Sequence, residues 1–172
     1  MGWTTPFTAV TGVLVTAANI NGYRDDLNFL NAQPGCRVRR VANQSISNIT
    51  TTSVSWDTED LDTDGFIVAT SPTVTIPTGL GGRFAITARA QSASALGAGR
   101  AFIQVVPTSG ITGLPAEFRV PVNNNSADSR YVVSVTIPLL AGDTFVVQVF
   151  HSIGAADNHT AWMSCYRVSP FS

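Results

Sequence analysis

The chain has 172 residues, of which 44% are hydrophobic and 12% charged, with a formal net charge of −1 at pH 7. That length can bury one full-sized core and carry a small appendage without a metal or disulfide staple. The balanced charge argues against nucleic acid, which needs a clustered positive face, and with so few charges much of the surface polarity must come from Ser, Thr and Asn.

All 10 basic residues are arginine. Either G+C-rich codon usage or selection for planar, bidentate contacts between subunits accounts for this. The opening, Met1-Gly2-Trp3-Thr4-Thr5-Pro6-Phe7, has no positive segment followed by a long apolar stretch, and no run approaches the length of a membrane span. The expectation is a product made in the cytoplasm that reaches the outside, if it does, by lysis of the cell that made it.

Residues 3 to 15 keep no helical period, and Trp3, Phe7, Val10 and Leu14 make them an extended apolar arm suited to docking on a partner chain or assembly. Thr16 suits the N-cap of a helix over residues 17 to 30. Within it Ile20, Tyr23, Leu27 and Leu30 follow the 3-4-3 spacing of an oligomerising seam. So short a helix, with Gly22 inside, is not stable alone. Its stripe either meets like stripes on other chains or packs on the chain's own β region. Gln33-Pro34-Gly35 ends it, which divides the chain into an arm and neck (1–35) and a head (36–172).

From Cys36 onward the hydrophobic period is two. Phe84, Ile86, Ala88 and Ala90 alternate with Arg83, Thr87, Arg89 and Gln91, one face buried and one polar. Further strands are expected over 36–42, 45–56, 65–70, 73–77, 99–106, 116–122, 130–138, 144–151 and 160–168. Turn signals separate them at Ser71-Pro72, Gly79 to Gly82, Asn123-Asn124-Asn125 and Gly142-Asp143. The fold expected is an all-β jelly-roll sandwich of about ten strands, preceded by the arm and one short helix.

Cys36 and Cys165 stand in the first and last strands, either as a disulfide closing the head or as two reduced, buried thiols. Asp60, Asp62, Asp64 and Gly65 match the start of a calcium loop, but Ser71 stands where the bidentate Glu belongs. The segment 57–65 therefore reads better as a solvated acidic loop, and no metal or other cofactor is assigned. His151 and His159 with Asp157 between them could supply metal ligands if their loop folded back, though surface histidines are the simpler account. No Gly-x-Ser-x-Gly elbow, phosphate loop or His-Glu-x-x-His is present, so an enzyme is not expected. The sequons at Asn43, Asn48, Asn124 and Asn158 are expected to carry no glycan.

Four segments occur in telling order: Ser71-Pro72-Thr73-Val74-Thr75-Ile76-Pro77, Gly82-Arg83-Phe84-Ala85-Ile86-Thr87-Ala88, Phe102-Ile103-Gln104-Val105, and Leu139-Leu140-Ala141-Gly142-Asp143-Thr144-Phe145-Val146-Val147-Gln148-Val149. This order resembles the globular heads of complement q and tumour-necrosis-factor-like proteins, and the closing strand from Trp162 to Val168 fits the same pattern. The arm, with Trp3-Thr4-Thr5-Pro6, Val15-Thr16-Ala17-Ala18, Asn21 and Arg24-Asp25-Asp26-Leu27-Asn28, looks like the opening of small virion proteins of tailed bacteriophages.

The resemblance implies a homotrimeric jelly roll whose first and last strands are neighbours, which would bring Cys36 near Cys165. It offers Phe145, Val147, Val149 and Trp162 as guesses for residues on the threefold axis. The partners implied are further copies of the chain and capsid or tail subunits of a virion, the head serving as decoration. The alternative is an adhesive head recognising a host-surface glycan or protein through outer loops near 57–65 or 123–126.

Overall fold

The computed structural model describes residues 16–31, 33–68, 70–94, 99–108, 117–122 and 130–171. One helix, α1 (Ala17–Asn31), precedes ten strands. These are β1 (Gly35–Ile46), β2 (Thr52–Ser53), β3 (Thr58–Asp62), β4 (Thr73–Thr75), β5 (Gly82–Ser92), β6 (Ala101–Pro107), β7 (Phe118–Val122), β8 (Arg130–Leu139), β9 (Thr144–His151) and β10 (Asp157–Pro170). They form two antiparallel sheets, the architecture expected of a jelly roll. The first has the order β3-β1-β10-β5-β8 and the second β2-β9-β6-β7, with β4 beside β2 along the same edge of β9. The arm residues Trp3, Phe7, Val10 and Leu14 and the segment 123–126 lie outside the described residues.

Period-two patterning places the core between the sheets. Cys36, Val38, Phe84, Ile86, Ala88, Met163 and Cys165 point inward from the first sheet, and Ile103, Val105, Phe145, Val147 and Val149 from the second. Phe66 closes edge-to-face on Phe84, with ring centroids 6.0 Å apart. Phe145, Val147 and Val149 are thus spent on the chain's own core and cannot also line a threefold axis; alternation along β9 assigns them inward. Trp162, on the opposite parity to Met163 and Cys165, faces out.

Two predicted strands differ in the structure. The run 45–56 is interrupted: β1 ends at Ile46, a turn with Ile49 at φ 57° follows, and only Thr52 and Ser53 rejoin a sheet. Among its described residues, the run 65–70 contributes a single bridge, Ile67 to Val74. Its N–H groups are already engaged, because the Asp62 carboxylate accepts from the backbone of Gly65 (2.8 Å), Phe66 (2.9 Å) and Ile67 (3.0 Å). A side chain has taken the place of a ladder partner.

Geometry requires glycine at Gly142 and at Gly82. Gly142, at φ 87°, forms the turn between β8 and β9, where Leu140 N–H donates to the Asp143 carboxylate at 2.7 Å. Gly82 lies so close to the Ser169 carbonyl that a Cβ there would collide with it.

Strand β1 gives the head its polarity. Its start, Gly35, lies opposite Tyr166 at the end that receives the helix, and its finish, Ile46, lies opposite Asp157 at the far end. In the helix the Thr16 carbonyl accepts the Ile20 N–H at 3.2 Å, so the helix begins where Thr16 was expected to cap it. Among the described residues α1 has no extensive packing against any strand. No helix among them is long and apolar enough to cross a membrane.

Candidate functional site

Part of the neck stripe is exposed to solvent. Ile20 is 58% exposed, Tyr23 37% and Leu27 59%. The head of the same chain leaves Ile20 and Leu27 more than half exposed, and covering what remains of each would contribute about 1–2 kcal/mol. Leu30 lies in the same helix, but its side chain is outside the described residues.

The outward face of the first sheet carries a second feature. Trp162 on β10 stands in register with Arg39 on β1 and Arg89 on β5, so one indole is flanked by two guanidinium-bearing positions. A shallow groove of about 260 Å³ runs beside it, lined by Arg39, Arg40, Val41, Arg89, Gln91 and Thr160 among others. Toward the far end it meets a second hollow of about 210 Å³ that shares Gln91 and Thr160 and adds Asn43 and Asn158.

The groove's arginines differ in their pairing. Arg39 makes a close ion pair with Asp60 (Nη2 to Oδ1 2.6 Å, Nε to Oδ2 2.8 Å), and the Asp60 hydrogen bond and charge raise its pKa. Arg40 lies 3.5 Å from Asp57. Arg89 is exposed and has no ion-pair partner among the described residues.

The acidic segment 57–65 is a correction to the loop expected. It contains β3, an edge strand paired with β1. Asp57 accepts the N–H groups of Val41 (2.9 Å) and Ala42 (2.8 Å) where β1 shifts register against β10. Burial pushes the Asp57 carboxyl up, but these bonds and the Arg40 charge outweigh it and its pKa falls. Asp60 pairs with Arg39, Asp62 caps the following turn, and Asp64 bonds to Thr63. The three carboxylates of the calcium-like pattern thus serve separate partners.

The histidines are also a correction: they are not on the surface. His151 is 0% exposed, His159 3% and Asp157 5%, joined at the far end by buried Ser92 and Tyr131. The imidazoles stack with centroids 5.3 Å apart. His151 Nε2 donates to the Ile46 carbonyl at 2.9 Å, and His159 Nδ1 lies 3.2 Å from the Tyr131 hydroxyl. Asp157 Oδ2, which accepts from the Ser92 hydroxyl, is 3.2 Å from His159 Nε2. Burial lowers the His159 pKa to about 4 against the pull of Asp157, so the ring is neutral at pH 7. Burial raises the Asp157 pKa, but bonds from Ser92 and Ser94 and the nearby His159 prevail and it lies below the ordinary value.

The sequence grouped His151, Asp157 and His159 but suggested surface residues, although the signal for their burial was present. His151 shares the parity of Phe145, Val147 and Val149, and Asp157 and His159 share that of Met163 and Cys165. Those two cysteines, both free and buried, are register partners across β1 and β10.

No protein-family model matches the chain, and no curated protein matches it by sequence. Solved structures do match in fold. The globular domain of a zebrafish complement 1qA protein aligns with 81% of this chain and 100% of its own, at TM-score 0.62 and 15% identity. The vertex protein P5 of the phage PRD1 aligns over 80% of this chain and 98% of its own, at TM-score 0.61 and 14% identity. The Eiger TNF of S. frugiperda aligns over 81% and 95%, at TM-score 0.57 and 11% identity. At such identities the likeness is one of fold.

Proposed function

We propose that this chain is a structural protein of a tailed-bacteriophage virion. Residues 36–172 form a surface-exposed, homotrimeric head, and residues 1–35 form the arm and neck that fix it to the capsid as decoration or to the tail. It acts by association rather than by chemistry. The observation that carries this reading is the exposure of Ile20 at 58% and Leu27 at 59% on one stripe of a helix too short to stand alone. Three like stripes would cover one another, and three arms would then engage the particle at high effective concentration. The fold shared with a phage vertex protein supports the setting.

The test is the native mass of the purified chain at low micromolar concentration. A value near three times 18.2 kDa is expected; a clean monomer would overturn the trimer. Gold labelling of virions then distinguishes an even capsid coat from a tail signal.

The alternative reading is an adhesive head that recognises a host-surface glycan or protein. Purified protein added to host cells would then block adsorption of the phage. Undiminished adsorption would count against recognition.

A further inference from the structure

We propose that the far end of the head is an acid-released clamp: the buried, stacked pair His151 and His159 holds the strained turn at Ile49 closed, and a proton entering the pair frees that turn together with the segment 152–156. The proposal goes beyond the assembly reading and does not depend on it. His151, His159, Asp157, Ser92 and Tyr131 are all buried within the head, so covering an outer face of the sandwich in an assembly leaves them as they are.

His151 grips the turn twice. Its ring Nε2 donates to the Ile46 carbonyl at 2.9 Å, and its backbone carbonyl accepts the Ile49 N–H at 2.9 Å. A third bond, from the Gly154 N–H to Asn48 Oδ1 at 2.9 Å, ties the turn to the connection between β9 and β10. The turn needs holding, because Ile49 sits at φ 57° with 69% of its surface exposed. A β-branched residue resists this left-handed conformation, and an exposed side chain contributes little packing to offset the strain.

The pair has no place for a charge. The two rings lie 5.3 Å apart and within 15° of parallel. With Nε2 donating, Nδ1 is the bare nitrogen of His151, buried and without a hydrogen-bond partner among the described residues. His159 faces the Tyr131 hydroxyl through Nδ1 and Asp157 Oδ2 through Nε2. Burial raises the Tyr131 pKa, so that hydroxyl stays neutral. Strand β5 contributes the Ser92 hydroxyl, β6 sets apolar Ala101 opposite His151, and β1 offers the Ile46 carbonyl. Arg100 and Arg130, nearby in the chain, are exposed. Asp157 is thus the ionised group that faces the pair, and burial outweighs its attraction in holding the His159 pKa down to about 4.

Once the turn and the segment 152–156 lift, water reaches the ring and its pKa returns to the ordinary 6.5. The closed end refuses a proton between these two values and the open end accepts it. Opening therefore becomes more favourable as pH falls through 6.5 and levels off below 4. Between pH 7 and about 4.5 the open fraction grows roughly 50-fold through His159.

The experiment is native-state hydrogen exchange of the full chain at pH 7 and about 4.5, with rates converted to protection factors so that the intrinsic pH dependence of exchange cancels. The far-end reporters are the N–H groups of Ile49, Gly154 and Ala93, the last bonded to the Asn158 carbonyl at 2.8 Å. The neck-end references are those of Ile76 and Arg167, bonded to the Asp143 and Pro34 carbonyls at 2.9 Å. The reporters should be less protected than the references and nearly insensitive to low urea, the mark of local opening, and their protection should fall roughly 50-fold in acid. A fall of less than about threefold would overturn the proposal. So would reporters that match the references in protection and urea dependence, because the end would then open only with the whole head. His159→Gln should abolish the acid loss at the reporters; a loss that persists would remove the pair from the clamp. Ile49→Asn, which tolerates the left-handed conformation, should raise the protection of the Gly154 N–H severalfold at pH 7. Unchanged or lower protection would show that the turn is not held against strain.

Discussion

Cys36 and Cys165 face one another directly across β1 and β10, both fully buried, although almost the whole head separates them in sequence. The neighbouring Cys36, together with burial, raises the Cys165 pKa well above the usual thiol value. Both thiols should therefore resist a water-soluble disulfide reagent in the native protein, and both should react once the chain is unfolded in denaturant. Rapid reaction under native conditions would show that this end of the sandwich opens.

Stability should fall on acidification before the carboxylates titrate. The His159 pKa is lowered from 6.5 to about 4 by burial, so between these values the unfolded chain binds the proton that the folded one refuses. The contribution is fully present above pH 6.5 and is lost as pH falls toward 4, on the order of 2 to 3 kcal/mol. Asp157, with a lowered pKa, keeps its contribution until the pH falls below the ordinary carboxylate range. Urea midpoints from pH 7 to 4 measure this, and His159→Gln should flatten the slope. A slope unchanged in that variant would locate the acid sensitivity elsewhere.

Removing the Asp62 carboxylate should unsettle the turn after β3. Asp62→Ala leaves the N–H groups of Gly65, Phe66 and Ile67 without their acceptor, at a cost of about 2–3 kcal/mol. Because these bonds already occupy the carboxylate, calcium or a chelator should leave the melting temperature of the parent protein unchanged. A calcium-induced rise of several degrees would revive the ion-loop interpretation.

Leu27→Asp should weaken the proposed trimer, or its proposed attachment to a particle, tenfold or more while the head stays folded, since among the described residues the helix has no extensive packing against any strand. Native mass against protein concentration, with near-ultraviolet circular dichroism as the check on folding, makes the comparison. Unchanged assembly and attachment would remove the helix stripe from the seam.

The sandwich was legible because alternation in β5, β9 and β10 is long and regular, and each strand keeps one apolar face. Breaks came where side chains replaced backbone partners. Asp62 consumes the N–H groups of the run after Asp64, and Asp57 takes those of Val41 and Ala42, so an acidic segment that reads as a loop instead pins an edge strand. The burial of the histidines is written in strand parity, against what their residue type suggests. The groove beside Trp162 was not legible at all. It depends on register between β1, β5 and β10, which are remote in sequence and meet only in the sheet.

Strand β1 leaves the helix at Gly35 and ends beside the distal histidines at Ile46, roughly 35 Å away by strand rise. It is flanked for part of that length by β3 and for most of it by β10. A tug between the neck and anything held at the far end would run along this strand. Its cross-strand hydrogen bonds would then be sheared together rather than peeled one by one, so the geometry that orders the sheet also gives the head resistance to mechanical load.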